Sequence, residues 1–256
     1  MKILITGSNG YIAKALIESL NSEHSIVSLS RAEADLTSID EVNSFFDKHD
    51  FFDAVIHTAI TGGRRLKIEN GDTIDQNIKM YYNLLENKSS FNRFISFGSG
   101  AELLALDTPY GISKRLIADS MKFKDKFTNL RIFGCFDHNE LDNRFIKGNI
   151  LRYINKEPIQ IYENKKMDFF FMEDLISLVK YCLAQNDPPK EINCSYREKY
   201  SLYKIAEIIN QLGSHNVSII SNGTFGKYYI GDFNLPIEYR GLEYGISSVY
   251  NKLSSL

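Results

Sequence analysis

Charge of one sign is what this sequence has least of: 30 lysines and arginines stand against 32 aspartates and glutamates, a formal net charge of −2 over 256 residues. A chain so nearly neutral has no basic footprint for nucleic acid and no pull toward an anionic membrane surface, so any phosphate site has to be built locally. Long apolar runs are also missing, none approaching the roughly 20 residues of a membrane span. The opening Met1-Lys2-Ile3-Leu4-Ile5-Thr6-Gly7 meets a glycine too soon for a signal peptide, which points to a cytoplasmic protein. Cysteine is scarce: Cys135, Cys182 and Cys194 have no paired spacing for zinc or a disulfide framework and read as buried thiols in a reducing compartment. The five histidines, His24, His49, His57, His138 and His215, show neither HxxxH nor HExxH, so no metal is expected.

What is there is alternation. Short apolar runs at Ile3–Thr6, Ser25–Leu29, Ala54–His57, Arg93–Phe97 and Leu130–Phe133 are separated by segments of helical period. Near-continuous apolar strands between helices imply a parallel sheet covered on both faces, the doubly wound α/β class. Beyond Phe133 the pattern predicts a helix over Asn143–Asn155, strands at Pro158–Tyr162 and Phe169–Phe171, a helix over Glu173–Leu183, one capped by Ser201, and a last one over Gly241–Leu253. Residues 1–134 with about 168–194 are expected to form the Rossmann domain, and about 135–167 with 195–256 a small lobe carrying the substrate.

Three features carry chemistry. Thr6-Gly7-Ser8-Asn9-Gly10-Tyr11-Ile12-Ala13 joins the first strand to the first helix, the context in which a glycine loop admits a pyrophosphate to a helix N-terminus. The second strand ends Ser28-Leu29-Ser30-Arg31 with no acid to grip an adenine ribose and a guanidinium able to pair with a 2′-phosphate, which favours NADP and leaves NAD open. Tyr110 and Lys114 stand at i and i+4 on one helix face, where an ammonium favours the ionised phenol. Such a pair is common by chance; what raises it is Ser99 at the end of the fourth strand, together with the glycine loop.

The order of glycine loop, serine and YxxxK resembles the extended short-chain dehydrogenase/reductase family, also called the NAD-dependent epimerase/dehydratase family. Asp35-Leu36-Thr37 resembles its adenine-side motif, Asn77 its helix asparagine, and Asn193 with the helix from Ser201 its sugar-side elements. Within the family, Val55 to Gly63 and the Gly98-Ser99 junction look most similar to GDP-fucose synthases. The resemblance implies that Gly7, Asn9, Gly10, Tyr11, Ile12, Ser30, Arg31, Asp35, Leu36, Thr58, Ala59, Asn77 and Lys114 hold the dinucleotide. It further implies that Ser99 orients a sugar carbonyl, Tyr110 transfers the proton, and Lys114 holds the nicotinamide ribose. Gly100, Ala101, Arg144 and Lys166 are the expected substrate residues, and a homodimer is expected through the helices at about Thr73–Lys88 and Pro109–Phe123, where Ile78, Tyr81 and Leu85 fit a contact or the core equally.

The chain departs from the family pattern in four places. Ala101 and approximately Arg144 stand where GDP-fucose synthases carry the cysteine and histidine of 3,5-epimerisation, and neither exchanges a carbon-bound proton near neutral pH. Met167 replaces a diphosphate-binding arginine, leaving that charge to Lys166 or Arg144. Gly134 occupies the place of an asparagine. The segment Gly100–Pro109 is short, with Glu102 its notable charge, and implies a reshaped substrate pocket. The expected activity is reduction of the 4-keto group of a nucleotide-activated 4-keto-6-deoxy sugar by NADPH, without 3,5-epimerisation; the alternatives are a 4-epimerase that retains NAD and a dinucleotide-binding partner subunit with little catalysis.

Overall fold

The computed structural model describes residues 1–63 and 69–255. In chain order the elements are β1 (Lys2–Thr6), α1 (Tyr11–Leu20), β2 (Ser25–Leu29), α2 (Ile39–Phe46), β3 (Phe52–His57), α3 (Gly71–Glu86), β4 (Phe91–Ser99), α4 (Ala101–Leu104), α5 (Pro109–Met121) and β5 (Phe127–Ile132). There follow β6 (Cys135–Phe136), α6 (Phe145–Ile154), β7 (Ile159–Ile161), β8 (Phe170–Phe171), α7 (Met172–Ala184), β9 (Glu191–Cys194), α8 (Leu202–Ile209), β10 (Ile219–Ser221) and α9 (Leu242–Ser254). Two compact units divide the chain, Met1–Arg131 with Ile176–Ile192, and Ile132–Leu175 with Asn193–Leu256.

The first unit is built on a six-stranded sheet in the order β2-β1-β3-β4-β5-β9. β1 runs parallel to both β2 and β3, and β3 to β4, so the order reverses between β1 and β3, where a doubly wound sheet opens its ligand crevice. Register makes the core: Val27, Leu4, Val55 and Phe94 lie side by side across four strands and share one face. Onto that face pack Val42 and Phe46 of α2, Met80, Tyr81 and Leu84 of α3, and Ile117 and Met121 of α5. The alternate residues Ile3, Ile5, Ala54 and Ile56 are fully buried on the other face, where α1 lies against β1 and β2. A strand that is apolar on both faces is what burial by helices on both sides requires.

Local chemistry sets the helix ends. Ser38 accepts the Glu41 N–H to start α2, whose first turn carries Asp40 and Glu41, and Thr108 accepts the Gly111 N–H to start α5 with Pro109 in its first turn. At the far end of α7, Arg93 of β4 donates through Nη1 to the carbonyls of Cys182, Leu183 and Gln185, each at 2.8 Å, satisfying groups a helix C-terminus leaves open. Tyr81, a sequence candidate for a dimer contact, is fully buried with its hydroxyl 3.2 Å from Ser120, while Ile78 and Leu85 pack partly against the core.

The second unit has β7 paired with β10 and β6 paired with β8, both parallel. Its core includes Phe136, Phe170, Phe171, Tyr153 and Ile246, and Gly245 of α9 lets that helix close on Phe136 and Phe171. Ser201 caps α8 as the sequence predicts. The Phe169–Phe171 run is buried throughout, with Phe170 and Phe171 forming β8 and Phe169 just ahead of it. The short strands β6, β9 and β10 were not read from the sequence, two to four residues being too few to show a period.

At the end of β3, His57 is buried and its Nδ1 lies 2.8 Å from the Thr6 hydroxyl. Burial, and after it the Lys114 ammonium, pulls the imidazole down to about 3 from 6.5. The folded protein therefore keeps His57 neutral where the unfolded chain protonates it. Its stabilising contribution is complete above pH 6.5 and is lost as pH falls from 6.5 toward 3. Between pH 7 and pH 5 that loss is about 2 kcal/mol. Urea unfolding at the two pH values should show the wild-type advantage over His57→Gln shrinking by that amount.

Candidate active site

The loop after β1 passes close under the loop after β3. Gly7 has φ of +67°, and a Cβ there would lie 2.7 Å from the Ala59 Cα, so side chains are excluded by conformation and by space. The Gly10 N–H returns to the Gly7 carbonyl at 2.8 Å, and the Ser8 N–H to Leu29 at 3.2 Å. Gly10 is the N-cap of α1 and offers no side-chain acceptor, and the first turn of α1 has no acid. In this loop Asn9 and Gly10 are exposed and Tyr11 and Ile12 half-buried, while Ala13 packs at zero exposure. This is the cradle a pyrophosphate fits: glycine where the backbone must approach, and positive partial charge at the helix start. Thr58 ties the β3 side of the cradle down, donating to the Thr6 carbonyl at 2.7 Å.

At the end of β2, Arg31 is 70% exposed, its Nε 3.7 Å from Asp35. Asp35 accepts from the Thr37 amide and hydroxyl, and those bonds, with Arg31 as a lesser cause, hold its carboxyl below the usual range. Leu36 is buried beside them. Sequence reading found no acid at this strand end; the turn brings one back, because Glu33 accepts the Ser30 N–H at 2.6 Å.

The reacting candidates gather around the end of β4. Ser99 closes the strand, 8% exposed, and its Oγ accepts the Ala101 N–H at 3.2 Å. Tyr110 lies in the first turn of α5, half-buried, with the backbone of Gly63 against its ring. Glu69 bridges the two, accepting the Gly63 N–H at 2.6 Å and the Tyr110 N–H at 3.0 Å. One turn on, the Lys114 Nζ donates to the Phe97 carbonyl of β4 at 2.5 Å and sits 5.8 Å from the centre of the Tyr110 ring. Burial pulls Lys114 down to about 8, against an opposing pull from the Glu102 carboxylate. Asn77 of α3 fixes α5 from behind: its Nδ2 donates to Ser113 Oγ and to the Thr61 carbonyl, each at 2.9 Å, and its Oδ1 accepts the Thr61 N–H at 2.8 Å.

Gly100 and Ala101, substrate candidates, lie buried at the start of α4, a four-residue helix inside the segment read as a short loop. That helix turns Glu102 inward to zero exposure, where the sequence offered only a loop charge. Glu69, Glu102 and Ser113 are the residues sequence reasoning passed over; Glu102 carried the one available signal, a charge beside Ser99. The other two substrate candidates belong to the second unit. Arg144 is the N-cap of α6, half-exposed, 3.7 Å from Glu140, and Lys166 bridges to Ser201 with its Nζ 5.7 Å over the Tyr228 ring. Cys135 is partly exposed rather than buried, unlike Cys182 and Cys194. Among the described residues no group of three or more His, Cys, Asp or Glu side chains is placed to hold a metal, and no helix is long and apolar enough to cross a membrane.

No curated protein sequence matches the chain. Solved structures do. A GDP-D-glycero-L-gluco-heptose synthase from Campylobacter jejuni, determined in the presence of NADPH, is 16% identical with a TM-score of 0.84, covering 100% of this chain and 98% of its own. A GDP-mannoheptose C4 reductase from the same organism, with NADP bound, is 16% identical with a TM-score of 0.83 and 98% coverage of both chains. A UDP-glucose 4-epimerase from Thermotoga maritima, with UDP-glucose, is 16% identical with a TM-score of 0.81, covering 100% of this chain and 99% of its own. At such identity the likeness establishes the fold. The sequence goes further, since residues 3–195 match the profile of one family throughout the span that holds the glycine loop, Ser99, Tyr110 and Lys114. The chain belongs to the NAD dependent epimerase/dehydratase family.

Proposed function

We propose that the protein uses NADPH to reduce the 4-keto group of a nucleotide-activated 4-keto-6-deoxy sugar, without epimerisation at C3 and C5. The observation that carries this reading is the joint placement of Ser99, Tyr110 and Lys114 at the carboxyl end of β4. When bound, the nicotinamide supplies the hydride that reaches C4. Ser99 donates to the ketone oxygen and orients it, and Tyr110 gives its phenolic proton to that oxygen as the alkoxide forms. Lys114, anchored on the Phe97 carbonyl, stabilises the tyrosinate left behind and holds the dinucleotide ribose. Asn77 keeps α5, and so the pair, at a fixed height on β4.

The Gly7 cradle, with Asn9, Gly10, Tyr11 and Ile12, takes the pyrophosphate; Ser30, Arg31, Asp35 and Leu36 take the adenosine side, and Thr58 and Ala59 flank it. The exposed Arg31 guanidinium favours a 2′-phosphate over a bare ribose. Gly100 and Ala101 face the sugar, and Ala101, which has no ionisable group, removes one of the two proton exchangers that 3,5-epimerisation needs. Positive charge for the diphosphate is assigned to Arg144 and Lys166. Exposed Tyr82 on α3 and Leu116 on α5 favour a homodimer through these helices. The likeness to a UDP-glucose 4-epimerase supports a second reading, oxidation and re-reduction of one carbon by a retained NAD. Cofactor that survives purification would favour that reading, and free exchange of NADPH the reductase.

Tyr110→Phe should lower kcat for NADPH oxidation with 4-keto sugar nucleotides by about 10²–10⁴-fold while NADPH still binds, followed by its fluorescence. Undiminished turnover would refute the mechanism. Arg31→Ala should reduce the preference for NADPH over NADH, as a ratio of kcat/KM, by about 10–100-fold, the worth of a charged hydrogen bond. Because Lys114 acts as the ammonium and loses its proton near pH 8, kcat should fall as pH rises through about 8, and a flat profile from pH 7 to 9.5 would contradict that role.

A further inference from the structure

Behind Ser99 lies a carboxylate that the reaction above does not use. Glu102 has no exposed surface. Its Oε1 accepts the Ser99 N–H at 2.7 Å, and its Oε2 accepts Asn129 Nδ2 at 3.0 Å and Arg131 Nε at 2.9 Å. Arg131 in turn donates through Nη2 to Glu191 at 2.9 Å. Every one of these partners is a donor, the set an ionised carboxylate needs; burial raises the Glu102 pKa, and the Arg131 guanidinium, the Ser99 amide and the Lys114 ammonium oppose that rise. The backbone is shaped around it: at Gly98 any Cβ would collide with Glu102 Oε1 and with the Asn129 amide, and at Gly111 with the Ala105 carbonyl that ends α4.

We propose that Glu102 is a positioning residue for the reacting pair: its buried carboxylate locks the end of β4, the strand that presents both Ser99 and the Phe97 carbonyl on which Lys114 is anchored. The inference rests on the ketoreductase reading for its activity arm alone. Mechanically, one side chain holds the serine amide and, through the strand, the lysine's acceptor, so the spacing of serine and ammonium is set by a single group. Electrostatically, the same anion opposes the desolvation of Lys114 and keeps it protonated near neutral pH. The other charges in reach are Lys114 and Arg115 on α5, Arg131 on β5 and Glu191 on β9, while His57 on β3 is neutral. Arg131 is shared between Glu102 and Glu191, Arg115 is paired with Asp119, and the charge that raises Lys114 against its burial is that of Glu102.

Two variants separate charge from shape. Glu102→Gln keeps an oxygen for the Ser99 amide and loses the charge; Glu102→Asp keeps the charge and shortens the arm. The readout that needs no substrate is the titration of Lys114, followed by ¹³C NMR of protein labelled at lysine Cε and assigned with Lys114→Arg. The midpoint should drop by about one unit in Glu102→Gln and stay near the wild-type value in Glu102→Asp. With a 4-keto sugar nucleotide, kcat should fall by about 10–100-fold in Glu102→Gln, and its high-pH limb should move down with the midpoint. If the single variant does not fold, Glu102→Gln with Arg131→Met removes both charges, and the same drop is expected. A midpoint unchanged in every variant that lacks the charge, or lowered equally by Gln and Asp, overturns the proposal. A midpoint that drops while no keto sugar is turned over supports the Glu102 assignment and counts against the ketoreductase reading alone.

Discussion

Two opposite charges buried around the end of β4, Glu102 and Lys114, constrain everything there. A lysine and a glutamate out of water are each destabilising by several kcal/mol unless fully partnered. Here Lys114 is held by the Phe97 carbonyl and Glu102 by an amide, an asparagine and an arginine. The arrangement tolerates little movement, because removing any one partner leaves a buried charge exposed to a low dielectric. It also explains the two tight glycines: Gly98 makes room for the carboxylate and Gly111 lets α5 close on the end of α4. The short segment after Ser99 is thus a packed support under the strand end.

The dinucleotide cradle follows a different logic, in which glycines and a helix start without a side-chain cap leave room for an anion. Gly7 is needed for its φ and for the 2.7 Å approach to Ala59, and Ala13 for the contact of helix with sheet. Thr6, Thr58 and His57 bond among themselves beneath it, so the polar groups of two strand ends are satisfied without a ligand. The second unit shows the same economy: Asp168 accepts Ser195, the Gly231 amide and Lys199, and Asp174 accepts Tyr196 and the amides of Arg240 and Gly241, two buried carboxylates each knitting distant segments together.

Much of the site was legible because its signals are local. The glycine loop, YxxxK and the serine at a strand end need only neighbours in sequence and a strand–loop–helix context to be meaningful. β1 and β3 were legible because each is apolar on both faces, and the other main strands by their short β-branched and aromatic runs. Less could be read after Phe133, where two- to four-residue strands carry no period. Tyr81 stayed open between core and dimer contact because an apolar helix position looks alike in either case, and its burial makes it core. Glu33 was missed because a turn, not a strand position, returns its carboxylate to Ser30.

The sequence by itself determined the α/β class, the family, and which side chains are the candidates for proton transfer, since these depend on residue type, order and short-range spacing. Only the tertiary structure decided what surrounds them. Glu69, 41 residues from Tyr110, seats its amide; Asn77, 36 residues from Ser113, pins its helix; Arg131, 29 residues from Glu102, turns a loop charge into a buried support. Contacts over such separations are set by how strands and helices stack, and that stacking minimises exposed apolar area and unpaired buried charge over the whole unit at once, a condition no local stretch of sequence contains.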